Sequence, residues 1–292
     1  MPETTPLILG NVTKPGAADR LQRAGEAALK SLDQRTSMHV GQVVGNDIDH
    51  VNIDLTGIRI DSVEDFEDFG NRVGEAFRSH GIEERRLDAV HASPGLVKIA
   101  EIRAHPVTIF GAPYVLDGAL VDVPITWLED AGGLLAIAID ENRDPLHLTG
   151  ELSLRVEQDA LIDSLHVLVE QISDRDGVPV HVELRQVRFT QDTQRSVRVE
   201  ASAKVSKGFV SGTAIAKATL ELDNDLVFHV RELEITSKNP ILSSFLKLAE
   251  SRLKVKPMRL ADLGPLGERI IDVNVTVGDE IEARAVLGDT GR

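Results

Sequence analysis

The chain has 292 residues and a net charge of -15; phosphate neutralisation needs a cationic footprint, so bulk binding to nucleic acid is excluded. Cysteine is absent, which removes disulfides, thiol catalysis and Cys-ligated zinc together. Apolar residues make up 42% of the chain but aromatics only 3%, with a single Trp127 and a single Tyr114; this Leu, Val, Ile and Ala content suits strands and small-residue helix faces, not stacking platforms for bases or sugars.

Met1 to Gly16, with Pro2, Pro6 and Pro15, reads as a tail. From Ala17 the spacing of Leu21, Ala24, Ala28 and Leu32 predicts a helix whose small-residue stripe permits close approach to a sheet. Met38–Val44 and Ile48–Ile60 alternate as strands around the turn Gly45-Asn46-Asp47. Ser62-Val63-Glu64-Asp65 is a capping-box pattern, and Val63, Phe66, Phe69, Val73 and Phe77 follow on one face of a helix running to about Ser79. Strands are then expected near Leu87–Ala92, Leu96–Ile109, Ala119–Trp127, Leu134–Ile139 and Leu146–Val156. Gln158–Ile172 returns to helical spacing through Leu161, Leu165 and Leu168.

After a strand at Val180–Phe189, the pattern is clearest between Arg195 and Lys256. Val197, Val199, Ala201, Ala203 and Val205 alternate with polar residues, Thr213–Asp223 alternates again, and Leu226, Phe228 and Val230 mark a third strand. Asn239-Pro240 ends the alternation, and Leu242, Phe245, Leu246 and Ala249 recur at helical spacing, with Pro240 suited to the first helical position. Two more strands, Ile271–Val277 and Ile281–Leu287, close the chain. The result expected is an α+β fold in which a long, strongly curved antiparallel sheet wraps amphipathic helices. Residues 17–288 form one elongated domain, or two similar halves meeting near 110–150, between tails at 1–16 and 289–292.

Several pieces resemble one family. Leu148-Thr149-Gly150-Glu151-Leu152-Ser153 leads into the helix Ala160-Leu161-Ile162-Asp163-Ser164-Leu165, Val51-Asn52-Ile53-Asp54-Leu55-Thr56-Gly57-Ile58 stands near the first strands, and Leu263-Gly264-Pro265-Leu266-Gly267-Glu268-Arg269-Ile270-Ile271-Asp272-Val273 with Val277-Gly278-Asp279-Glu280-Ile281 forms the last hairpin. In this the chain resembles the LmeA-like phospholipid-binding proteins of the tubular lipid-binding (TULIP) superfamily. The resemblance spans roughly Ala17 to Leu287. It implies a curved sheet round a long helix, enclosing an apolar groove for acyl chains, with no catalytic centre and no cofactor. The segment Phe110-Gly111-Ala112-Pro113-Tyr114 departs from the family's Phe-rich segment before a Gly.

The expected groove is lined by Val197, Val199, Ala201, Val205, Leu220, Phe228 and Val230 on the sheet and by Leu242, Phe245, Leu246 and Ala249 on the helix. Patterning alone is equally that of a filled core, because periodicity does not show a void. The helix tail is basic in an acidic protein, and Lys247, Arg252 and Lys254 are the expected contacts to a membrane or anionic headgroup, the plainer reading being cations at a helix C-terminus. Asp47, Asp49 and His50 with His91 and His105 offer metal-ligand chemistry at weak spacing, and a polar outer face is the simpler account. No Gly-x-Ser-x-Gly elbow, His-Glu-x-x-His or phosphate loop occurs. The expected partner is a lipid or other apolar small molecule, bound without catalysis. A protein-interaction module with a filled core and an enzyme on an apolar substrate are the alternatives. Met1 to Gly16 lacks a basic and an apolar signal region and no run reaches the roughly 18 apolar residues of a membrane span, so a cytoplasmic protein is expected, or by family analogy a cell-envelope protein whose signal has been removed.

Overall fold

The computed structural model describes residues 7–66, 68–69, 89–139, 148–175, 181–207, 210–239, 243, 256–263 and 269–288. The first helix, α1 (Lys14–Leu32), begins with Pro15 in its first turn, where the missing N–H costs no intrahelical bond. Its buried stripe is Ala17, Ala18, Leu21, Ala24, Gly25, Ala28 and Leu29. Gly25 is required by close approach: a Cβ there would lie 2.0 Å from Met38 Sδ, so the thioether of β2 (Ser37–Val40) seats in a notch on the helix. Residues 7–10, expected in a tail, instead form β1 (Leu7–Gly10). It pairs antiparallel with β8 (Leu135–Ile139) and completely buries Leu9. Apolar Leu-Ile-Leu outweighs the flanking prolines once a strand edge is available to pair with.

The remaining strands of the first sheet are β3 (Val43–Val44), β4 (Asp47–Asp54), β5 (Arg59–Ile60), β6 (Ala89–Ile109), β7 (Ala112–Asp130), β9 (Thr149–Glu157), β15 (Ile270–Val277) and β16 (Glu280–Leu287). Its main order is β15-β16-β9-β7-β6-β4-β2. Two expectations are corrected here. β4 and β5 pair with β6 in parallel, which a connection as long as residues 61–88 permits and a hairpin does not. The strands expected at 87–92 and 96–109 are one strand of 21 residues; Ser93, Pro94 and Gly95 stay in register with Trp127, Thr126 and Ile125 of β7. The segment 110–111 is the hairpin turn between β6 and β7, with φ of 48° at Phe110 and 86° at Gly111.

The second sheet has the order β10-β11-β12-β13-β14, from β10 (His181–Thr193), β11 (Ser196–Lys207), β12 (Val210–Leu222), β13 (Val227–Ser237) and β14 (Met258–Arg259). It is inserted between α2 (Gln158–Arg175) and β15, whose own partners lie in the first sheet. β6, β7 and β9 run side by side in the first sheet. The chain is an α+β fold built on two large, mainly antiparallel sheets.

The core lies between α1 and one end of the first sheet, where Leu9, Leu21, Leu29, Met38, Val40, Ile48, Ile125 and Trp127 pack together. β7 changes faces to reach it. Near the β6–β7 turn the apolar alternate set is Leu116, Gly118 and Leu120, whereas beyond Asp122 the buried set is Ile125 and Trp127, of the other parity. Asp122 itself has φ 59°, a left-handed backbone that interrupts the pleat at the crossover. The expected helix after Ser62 opens as read: Ser62 Oγ accepts the N–H of Asp65 at 3.0 Å, and Phe66 N–H donates to Ser62 O at 3.0 Å.

Candidate functional site

Two apolar sheet faces approach α2, which lies against β7 and β9 of the first sheet and β10 of the second. On the first sheet the register aligns Ile53, Ile102, Gly118, Leu152 and Ala285 in one row and Ala104, Leu116, Leu154 and Ala283 in the next. At the α1 end this face is closed, with Met38, Val40 and Val51 buried. At the other end α2 lies on it at Val156, which is buried, and at Tyr114, whose phenol is hydrogen-bonded to the buried Ser164. Burial pushes the Tyr114 pKa up, against the Ser164 hydrogen bond. Between these two lids Ile102, Leu116 and Leu152 are half-buried and Leu154 is 37% exposed.

The two helices differ in the same way. The α1 stripe is buried along its length. In α2 the expected apolar line of Leu161, Leu165 and Leu168 is half-buried, Ile172 lies outside the described side chains, Val167 is 39% exposed, and among the described side chains Ser164 is the buried one.

The second sheet carries the predicted wall. Val197, Leu220 and Val230 lie opposite one another across β11, β12 and β13, as do Leu222 and Phe228. Val199 pairs with Ala218 and Ala201 with Ala216. Of the expected sheet lining, Val197 and Val205 are buried, while Val199, Ala201, Leu220, Phe228 and Val230 are half-buried. The expected helix lining Leu242, Phe245, Leu246 and Ala249, and the expected membrane contacts Lys247, Arg252 and Lys254, lie outside the described residues. Sequence reasoning missed the contribution of β10, where Val182 and Leu184 share this face with Val187 and Phe189. A bulge between Leu184 and Gln186 shifts the alternation by one residue and hides the face from a period-two reading.

The outer faces are mainly polar, with Ile99 and Val121 of the first sheet and Ile215 of the second exposed among paired charges. On the second sheet Arg188, Glu200, Lys217 and Glu234 form a rung of alternating charge, with Lys217 Nζ 2.8 Å from Glu200. At one end of this face is a hollow of about 630 Å³. Its cations are paired, Arg195 with Asp272, Arg198 with Asp192 at 3.5 Å and Arg231 with Glu221, so it presents nothing to an apolar ligand. On the first sheet His105 Nε2 lies 2.6 Å from Asp117, which also accepts from Arg155 at 2.9 Å. Asp47 accepts the Leu96 N–H at 3.0 Å, and Asp49 lies 3.1 Å from His50 Nδ1. Asp47 and His105 thus pair elsewhere, Asp49 and His50 pair with each other, and among the described residues no three His, Asp or Glu side chains converge on a metal position. No described helix is long and apolar enough to cross a membrane.

These pairs set an acid limit. The hydrogen bond from His105 holds the Asp117 carboxyl below the usual range, and that from Arg195 does the same for Asp272. A depressed folded pKa contributes stability above the unfolded value and loses it as pH falls through the folded one. Both carboxylates are about 40% exposed, so the contribution is screened and small. The expected result is no loss of melting temperature from these groups between pH 7 and 5 and a decline below about pH 4. Calorimetry of the Asp117→Asn and Asp272→Asn variants checks it, since each is expected to flatten the acid limb.

Comparison of the chain with protein-family models, with curated proteins and with solved structures finds no match.

Proposed function

We propose that this protein holds a lipid, phospholipid-like in having long acyl chains, in the apolar trough between α2 and the two sheets, and carries or presents it without chemical change. The observation that carries the reading is the contrast between the helices: α1 is sealed into a filled core, while α2 and both sheet faces beside it keep half-buried Leu, Val and Phe side chains. Each acyl methylene buried there would gain about 0.8 kcal/mol, less the cost of ordering the chain. A wall of Val, Leu and Ala reads width and length more than chemical identity, so discrimination among acyl chains would be loose. The resemblance to the LmeA-like proteins of the tubular lipid-binding superfamily supports the same reading, and with it a strong curvature that wraps the sheets round α2. The basic run from Lys238 to Arg259, including Lys247, Arg252 and Lys254, is the stretch suited to an anionic headgroup or membrane surface.

Native mass spectrometry of the protein purified without detergent tests this: co-purifying lipid that organic extraction removes is the expected result. Delipidated protein that fails to bind a fluorescent fatty acid would leave the trough as surface that some other macromolecule covers.

A further inference from the structure

β15 is the outer strand of the first sheet, and an outer strand presents unpaired backbone groups. Here they are engaged by the tip of the β10–β11 hairpin. The Gln191 side-chain amide bridges two residues as a strand's peptide would, donating to Val275 O at 3.1 Å and accepting from Val277 N–H at 3.2 Å. Val275 N–H donates to Gln194 O at 2.7 Å. The Arg195 guanidinium pairs with Asp272 beside them. Among the described residues β10 and β11 meet the first sheet chiefly here, and α2 is the other substantial link between the sheets.

The contacts of this seam named above are polar, and Gln191 and Gln194 are exposed. A seam of apolar packing loses its buried area when it parts, whereas hydrogen bonds at the surface are exchanged for bonds to water at small net cost. The Arg195–Asp272 pair is only half-buried, so salt weakens it in part. Being polar, these contacts part with little loss of buried apolar area.

We infer that the Gln191–Arg195 tip is a latch that fastens the second sheet to β15 and, on release, admits an acyl chain sideways into the trough. This rests on the lipid-holding reading of the same trough. The latch acts on the rate of exchange more than on the affinity, because only Gln191, the cross-strand neighbour of Val197, borders the apolar lining.

The test uses the whole chain and 11-dansylaminoundecanoic acid as the probe. In Gln191→Ala and Arg195→Asp, the Val275 and Val277 amides are expected to exchange hydrogen at least about tenfold faster. Probe uptake and release in stopped flow are expected to quicken by at least about threefold with the dissociation constant unchanged. Adding Asp272→Arg to Arg195→Asp restores the pair in reverse and is expected to return both readouts towards the starting protein. Unchanged amide exchange, or faster amide exchange with unchanged uptake, overturns the latch while leaving lipid holding intact. A chain that binds no probe in any form sinks the lipid reading itself and the gating role with it.

Discussion

Replacing Trp127 by Ala is expected to lower the unfolding free energy by about 3–5 kcal/mol, the range for removing a large aromatic from a core. The side chain is 1% exposed and belongs to the cluster that joins β1, α1, β2, β4, β6, β7 and β8. Its indole N–H donates to Asn46 O at 2.8 Å, linking β7 to the turn before β4 across 81 positions of sequence. Gly95 is part of the same fit, since a Cβ there would lie 2.0 Å from Asn46 O and 3.1 Å from Trp127 Nε1. Trp127→Phe separates the contributions: it keeps most of the ring but removes the donor, so a loss of about 1–3 kcal/mol is expected from the unsatisfied carbonyl and the smaller ring. Urea denaturation followed by far-ultraviolet circular dichroism is the measurement, because the variants lack the only tryptophan. A loss under about 1 kcal/mol for the alanine variant would mean that α1 does not hold the principal core.

The largest functional effect is expected from Leu154→Arg. Leu154 is 37% exposed on the strip between the α1 and α2 ends of the first sheet, opposite Leu116 of β7 and Ala283 of β16. A guanidinium there would stand in the path of an acyl chain, and binding the probe would bury a charge without a partner. The dissociation constant for the dansyl fatty acid is expected to rise at least tenfold, or about 1.4 kcal/mol. Stability should change little, because an arginine at a part-exposed site can extend its head to water. Ile215→Arg is the matched control: Ile215 is 41% exposed but lies on the polar face of the second sheet, beside Ser202 and Thr236, and its substitution is expected to leave probe binding unaltered. Equal loss in both variants, or a collapse of melting temperature in Leu154→Arg alone, would contradict a ligand-holding strip at that position.

Local pattern carried well wherever one face of a strand is dry. The strands at Ser196–Val205, Thr213–Asp223, Ile271–Val277 and Ile281–Leu287 are all present at nearly those bounds. Gln158 and Lys14 start helices close to where apolar spacing put them. The reading stumbled where alternation is interrupted or shared. Ser93-Pro94-Gly95 looks like a break and is instead the middle of a strand held from one side by β7. The bulge at Leu184–Gln186 hid Val187 and Phe189 from the apolar face. Of the expected site, the β11 to β13 wall was legible because its residues alternate without fault. Leu116, Leu152 and Leu154 were not, since they belong to a face assembled from strands far apart in the chain.

By itself the amino-acid sequence determined the class of fold, the helices α1 and α2, the polar and apolar sides of most strands, and the absence of thiol chemistry. These follow from periods of 2 and 3.6 residues and from composition, which act locally. Tertiary structure alone decided that β10 to β14 form a second sheet inserted into the first, that β4 and β5 run parallel to β6, and that the hairpin tip fastens to β15. It also decided which apolar stripe is sealed. Both helices have one, yet α1 is buried and α2 is half-covered, because burial depends on what packs against a stripe and not on the stripe's own spacing.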